Sequence, residues 1–174
     1  MEEAPARGLA RIDPRRGVLG FLLRLPTRLY HSGLGGVLGR RFLLLRVAGR
    51  RSGLPREVVL EVVSSDPAGD RYVVAAAWGA RAGWLRNLRA AGGRASVQVG
   101  RRQFPAVARE LAPAEAASAL ADYARRHRLA FRAFVGPLLL GRRVGTTPED
   151  LDLLSRSIPL IELRPATHAP LGPG

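Results

Sequence analysis

The sequence has no cysteine. Disulfides, thiolate metal sites and a cysteine nucleophile are therefore excluded. It has no lysine either, because all 28 basic residues are arginine. That removes Schiff-base chemistry and the lysine of a Walker-type phosphate loop. The three histidines, His31, His127 and His168, are scattered without metal-ligand spacing, so no metal is expected. Aromatic residues make up only 6% and do not alternate with basic residues on a strand, which argues against specific nucleic-acid binding. The longest apolar stretch near the N-terminus, Val18 to Leu23, is followed by Arg24, Pro26 and Arg28, so no transmembrane span is expected. Met1-Glu2-Glu3-Ala4-Pro5 lacks the basic region of a secretory signal, and the expected location is cytoplasmic. No Gly-x-Gly-x-x-Gly follows a strand, which argues against a Rossmann nicotinamide site.

What is present is a chain of 174 residues, 47% hydrophobic, long enough for one domain with a real core. Its net charge of +14 implies an acidic partner: nucleic acid, a membrane surface or an anionic cofactor. Residues 1–16 read as a loose tail, 17–164 as a single domain and 165–174 as a second tail. Residues 17–39 carry Val18, Phe21, Leu22, Leu25 and Leu29 among arginines and read as short amphipathic helices. These either pack on the core or attach peripherally to the inner face of an anionic membrane.

Strands are expected at Phe42 to Val47, Glu57 to Ser64, Arg71 to Ala77, Ala95 to Val99, Arg102 to Leu111 and Ile158 to Leu163. Short helices are expected at Gly83 to Ala90 and from Pro113 to about Arg126. A helical rhythm runs from Leu129 to Leu140, and another helix opens at Thr147-Pro148. Short turns between neighbouring strands predict an antiparallel sheet, and so little helix between six strands predicts an α+β small barrel with flanking helices.

One turn stands out, Ala48-Gly49-Arg50-Arg51-Ser52-Gly53-Leu54-Pro55-Arg56, between the first two strands. In isolation it reads as a solvated hairpin. Its glycines, three fixed cations and a hydroxyl also suit a phosphate or carboxylate ligand. The arginines at 50, 51, 56, 81, 86, 89, 101 and 102 make one anionic pocket if the fold gathers them at one mouth. Trp84 could wall an aromatic ring, and Asn87 offers a two-sided amide. Glu57 and Glu61 share a strand face and are expected to be exposed, and Ser52, Ser64 and Ser65 lack the partners of a hydrolytic triad.

In order and at near-family spacing, Gly49-Arg50-Arg51-Ser52-Gly53-x-Pro55-Arg56, Tyr72-Val73-Val74-Ala75-Ala76, Trp84-x-x-Asn87-Leu88-x-Ala90 and Val97-x-Val99-Gly100 resemble the deazaflavin-dependent nitroreductase family. The resemblance covers residues 40–112 and extends to Ile158-Pro159-Leu160-Ile161-Glu162-Leu163. It implies a split β-barrel of the flavin-reductase and pyridoxamine-phosphate-oxidase kind. It implies binding of the 8-hydroxy-5-deazaflavin coenzyme F-420, whose phosphate and polyglutamate tail supply the anion. By the same resemblance Arg50, Arg51, Ser52, Gly53 and Arg56 hold phosphate and tail. Ala75, Ala76, Ala77 and Trp78 run beside the ring, and Gly83, Trp84 and Asn87 complete the wall. The implied reaction is hydride transfer to a quinone, a nitro compound or an activated alkene, and the implied assembly is a homodimer.

The sequence departs from the family pattern at three places. Arg51 stands where lysine is usual, and Leu85 where tyrosine is frequent. Phe131 and Phe134 occupy the substrate-pocket positions where some members carry tyrosines. Tyr123 and Tyr30 are the remaining hydroxyl candidates for catalysis. Alternatives are a barrel binding flavin mononucleotide (FMN), or a non-catalytic binder of anionic ligands or membrane surfaces.

Overall fold

The computed structural model describes residues 41–66, 68, 70–128, 131 and 145–166. The expected N-terminal tail and helices, the C-terminal tail beyond Ala166, Tyr30, Phe134 and all of the 129–140 helical segment except Phe131 lie outside the described residues. Six strands close into a barrel: β1 Phe42–Ala48, β2 Pro55–Asp66, β3 Arg71–Ala75, β4 Arg94–Val99, β5 Arg102–Glu110 and β6 Leu160–Pro165. The order around the barrel is β1-β2-β3-β6-β5-β4, with β4 returning to β1. Every pairing is antiparallel. The fold is thus the expected α+β antiparallel split barrel with flanking helices.

Strand alternation decides what fills it. Leu43, Leu45, Val74, Val97, Ile161 and Leu163 belong to the barrel core, with Tyr72 stacked on Phe104 at 6.2 Å between ring centroids. Helix α1, Gly83–Ala90, packs into the same core through Leu85 and Leu88. Burying each leucine is worth about 1.5–3 kcal/mol. A second core lies outside the sheet. Helices α2, Pro113–Arg126, and α3, Pro148–Ser157, bury Leu120, Tyr123, Leu151 and Leu154 with Val63 of β2 and Val73 of β3. Thr147 caps α3 by accepting the Asp150 N–H at 3.2 Å, as its sequence position predicts.

Several expectations need correction. Strand β3 stops at Ala75 rather than Ala77, because Ala76 donates its N–H to the Pro159 carbonyl and accepts the Gly79 N–H in a turn. Strand β6 starts at Leu160, since Ile158 N–H still bonds the Leu154 carbonyl of α3, and it runs on through Pro165. Glu57 and Glu61 are half-buried, not exposed. Arg46 pairs with Glu57, while Arg41 and the Tyr123 hydroxyl donate to Glu61.

The antiparallel order places the β1–β2 turn, the end of β3, helix α1 and the start of β4 at one end of the barrel. The β4–β5 hairpin and the β2–β3 turn lie at the other, where Arg102 binds Asp70 at 2.6 Å. The arginines are therefore divided. Those at 50, 51, 56, 81, 86 and 89 share the α1 end, and Arg101 and Arg102 do not.

Candidate functional site

The turn between β1 and β2 is closed on itself. Gly53 donates to the Gly49 carbonyl at 2.7 Å, Gly49 to the Leu54 carbonyl at 2.9 Å, and Leu54 N–H to Ser52 Oγ at 3.4 Å. Gly53 has φ +67°, a left-handed conformation that glycine adopts without the Cβ penalty. At Gly49 the limit is space: a Cβ would lie 3.1 Å from the Leu54 carbonyl and 3.3 Å from Arg56 Cγ. The glycines thus let the backbone curl tightly enough to present Arg50, Arg51, Ser52 and Arg56 together, all of them exposed.

Helix α1 closes the other side. Asn87 Oδ1 accepts both the Arg50 backbone N–H at 3.3 Å and Arg50 Nη1 at 3.0 Å, fastening turn to helix. Between them is a cavity of about 500 Å³. The turn contributes Gly49, Arg50, Arg51 and Ser52; β2 contributes Arg56, Glu57 and Val58; α1 contributes Gly83, Trp84 and Asn87. Among the described residues Arg51 and Arg56 form no ion pair and no side-chain hydrogen bond. Two unpartnered guanidiniums beside a hydroxyl and a tight turn suit an oxyanion.

The structure thus brings together Arg50, Arg51, Ser52, Arg56, Gly83, Trp84 and Asn87. Gly53 shapes the turn without lining the cavity. Ala75, Ala76, Ala77 and Trp78 lie at the same barrel end but do not line it. Ala76 is fully buried, and Trp78 is exposed beside a short 3₁₀ turn at Gly79–Arg81. Phe131 is fully buried in the second core, 6.5 Å from the Tyr123 ring. Tyr123 is buried there too. Its hydroxyl donates to Glu61 at 2.9 Å, and burial together with the Glu61 carboxylate pushes its pKa well above the usual phenol range.

Two lining residues were not anticipated, Glu57 and Val58, whereas Gly49 belongs to the turn read from the sequence. Glu57 had a signal, since it directly follows Arg56 where the strand leaves the turn. Among the described residues no group of histidines and carboxylates could hold a metal ion, and no helix is long and apolar enough to cross a membrane.

The free guanidiniums, the Ser52 hydroxyl and the Trp84 wall fit a coenzyme with an aromatic ring and an anionic tail. Comparison with known proteins bears on which one. A search of curated proteins finds no match to the chain. Among solved structures, a protein described as an F420-H2 dependent reductase is 26% identical over 72% of this chain and 96% of its own, with a TM-score of 0.44. Atu2129 from Agrobacterium tumefaciens, of unknown function, is 16% identical over 91% of this chain and 59% of its own, with a TM-score of 0.50. A pyridoxamine 5'-phosphate oxidase-related, FMN-binding protein from Nostoc punctiforme is 14% identical over 87% and 81%, with a TM-score of 0.44. The family model described as F420H(2)-dependent quinone reductase matches residues 23–133, which include the whole cavity lining. The chain therefore belongs to the F420H(2)-dependent quinone reductase family, oxidoreductases whose cofactor is the deazaflavin coenzyme F-420.

Proposed function

We propose that the protein holds reduced coenzyme F-420 in the cavity between the β1–β2 turn and α1, and passes its hydride to a quinone, a nitro compound or an activated alkene. The observation that carries this reading is the pair of unpartnered arginines, Arg51 and Arg56, facing a cavity whose other wall is Trp84. When bound, the coenzyme supplies the hydride; the protein supplies position and electrostatics.

Each residue then has a physical task. Arg51 and Arg56 neutralise phosphate and tail carboxylates, with Ser52 Oγ as an added hydrogen-bonding group. Asn87 keeps Arg50 aimed along the cavity through its two bonds. Trp84 packs partly on the barrel core, so its indole offers a stiff face for a planar ring. Tyr123 receives no task toward the acceptor, because its hydroxyl is committed to Glu61 in a buried setting.

Titration of the purified protein with coenzyme F-420, followed by tryptophan quenching, tests the cofactor site. Saturable quenching at micromolar coenzyme supports it, and quenching by FMN alone overturns it. A turnover screen with reduced coenzyme against quinones, nitroaromatics and unsaturated lactones then identifies the acceptor class.

A further inference from the structure

Residues 48–56 form the β1–β2 turn, and residues 78–91 run from Trp78 through the 3₁₀ turn and α1. Together they hold six arginines, at 50, 51, 56, 81, 86 and 89, and no aspartate or glutamate. The two Arg50–Asn87 bonds join these stretches into one surface at the α1 end of the barrel. All six arginines are exposed. Among the described residues only Arg89 of the six has an ion pair, with Glu110. Arg81 and Arg86 lie outside the cavity lining, so an anion in the cavity leaves them unneutralised.

The same surface presents apolar groups to water. Four large hydrophobic residues among the described ones are exposed, and two of them stand here, Leu54 at 62% and Trp78 at 45%. A single exposed hydrophobic residue is ordinary on any protein surface. Here the setting gives it meaning. The Leu54 carbonyl accepts the Gly49 N–H, which fixes the turn that presents its side chain. Trp78 heads the 3₁₀ turn with no ring partner and no hydrogen bond among the described residues. Tryptophan favours the boundary of water and lipid, because its ring is apolar and its N–H polar. Apolar side chains among unpaired cations, with no carboxylate between them, match the headgroup layer of an anionic bilayer. Duplex nucleic acid would satisfy the arginines but offers no apolar layer to Leu54 and Trp78.

We propose that the α1 end of the barrel docks peripherally on an anionic phospholipid bilayer, with Arg51, Arg81 and Arg86 on headgroup phosphates and Leu54 and Trp78 at the acyl boundary. This surface is separate from residues 17–39, for which the sequence alone suggests membrane attachment. Docking needs no coenzyme, so the inference stands apart from the proposed reaction. Only its consequence rests on that reading: the cavity between the docked turn and α1 lies close to where an apolar electron acceptor partitions.

The test uses the full chain with vesicles of phosphatidylcholine, alone or mixed with phosphatidylglycerol. Sedimentation should show binding to the anionic vesicles only, weakening as salt is added. The chain has two tryptophans, so Trp84→Phe leaves Trp78 as the reporter. Brominated lipid should quench its emission, and the vesicles should move that emission to shorter wavelength. Arg81→Gln with Arg86→Gln should weaken vesicle binding by about 25-fold, at roughly fivefold for each arginine near an anionic surface. Leu54→Ser with Trp78→Ser should weaken it by about tenfold or more. Val107→Ser with Leu153→Ser removes the exposed apolar groups of β5 and α3, and should change it by less than about twofold. The inference is overturned if the wild type does not bind anionic vesicles, or if it binds them with Trp78 unquenched, since another surface then docks. It is equally overturned if the Val107 and Leu153 variant loses as much as the Leu54 and Trp78 variant, or if duplex DNA binds more tightly than the vesicles. A protein that docks on vesicles but binds no deazaflavin coenzyme sinks the proposed reaction alone.

Discussion

Asn87 Oδ1 accepts two hydrogen bonds from one residue, the backbone N–H and Nη1 of Arg50, at 3.3 and 3.0 Å. This ties the first residue of the arginine pair to helix α1, which is itself fixed by Leu85 and Leu88 in the barrel core. Asn87→Ala should free Arg50 and loosen one wall of the cavity. Loss of a hydrogen bond to a charged group is worth about 1.5–3 kcal/mol, so the coenzyme Kd should rise by about tenfold or more. Titration followed by tryptophan quenching checks this. An unchanged Kd would mean that Arg50 is held by something other than Asn87.

Arg51 and Arg56 differ from Arg50 in being free of protein partners among the described residues. Removing them exposes no unpaired carboxylate, so Arg51→Ala with Arg56→Ala should leave thermal stability nearly unchanged. Binding of tail-bearing coenzyme should weaken by about a hundredfold, at roughly tenfold for each charge-assisted contact. A tail-less analogue should lose far less. Equal losses for both ligands would remove the tail assignment.

The turn, the strands and the helix with Trp84 and Asn87 were legible because each has a local signal. Glycines mark the turn, apolar runs mark the strands, and a four-residue spacing marks the helix face. What was not legible depended on contacts distant in sequence. That Arg101 and Arg102 sit at the far end follows only from strand direction around a closed barrel. Nothing near Glu57 in sequence shows that Arg46, eleven residues earlier, pairs with its carboxylate. Likewise Phe131 packs beside Tyr123 in the second core, a contact between α2 and the segment after it.

Tyr123 separates stability from binding. Its hydroxyl reaches Glu61 across 62 residues of sequence, in the core formed by α2 and the outer face of β2. Tyr123→Phe should destabilise the fold by about 1 kcal/mol, the net worth of one hydrogen bond, and leave Kd for the coenzyme unchanged. The folded-state pKa lies above that of the unfolded chain. The wild type therefore holds this contribution fully below about pH 10 and loses it as pH rises further, whereas the phenylalanine variant lacks that dependence. Urea denaturation at pH 8 and pH 11 measures both effects. A fall in coenzyme affinity with intact stability would instead move Tyr123 into the binding machinery.

The acid limb of stability rests on a different group. Arg109 Nη1 and Nη2 donate to the two oxygens of Glu115 at 2.8 and 3.0 Å, and Arg109 Nη2 also reaches the buried Glu162 at 3.2 Å. Glu115 also accepts the Ala112 N–H at 2.9 Å, closing the first turn of α2. The Arg109 bonds first, and then the Ala112 N–H, hold the Glu115 pKa down at about 2. Because the folded value lies below the unfolded one, the stabilisation is present above about pH 4.3 and is lost as pH falls toward 2. Glu115→Gln keeps an oxygen for Ala112 but cannot ionise. Its unfolding free energy should be lower than wild type at pH 7 and fall less steeply between pH 5 and pH 2. Arg109→Gln should destabilise more than Glu115→Gln, because it also takes one of the arginines from Glu162, which is 3% exposed and, among the described residues, keeps Arg71 and Arg164. Parallel stability curves for wild type and Glu115→Gln across that window would show that the α2 terminus is held by packing alone.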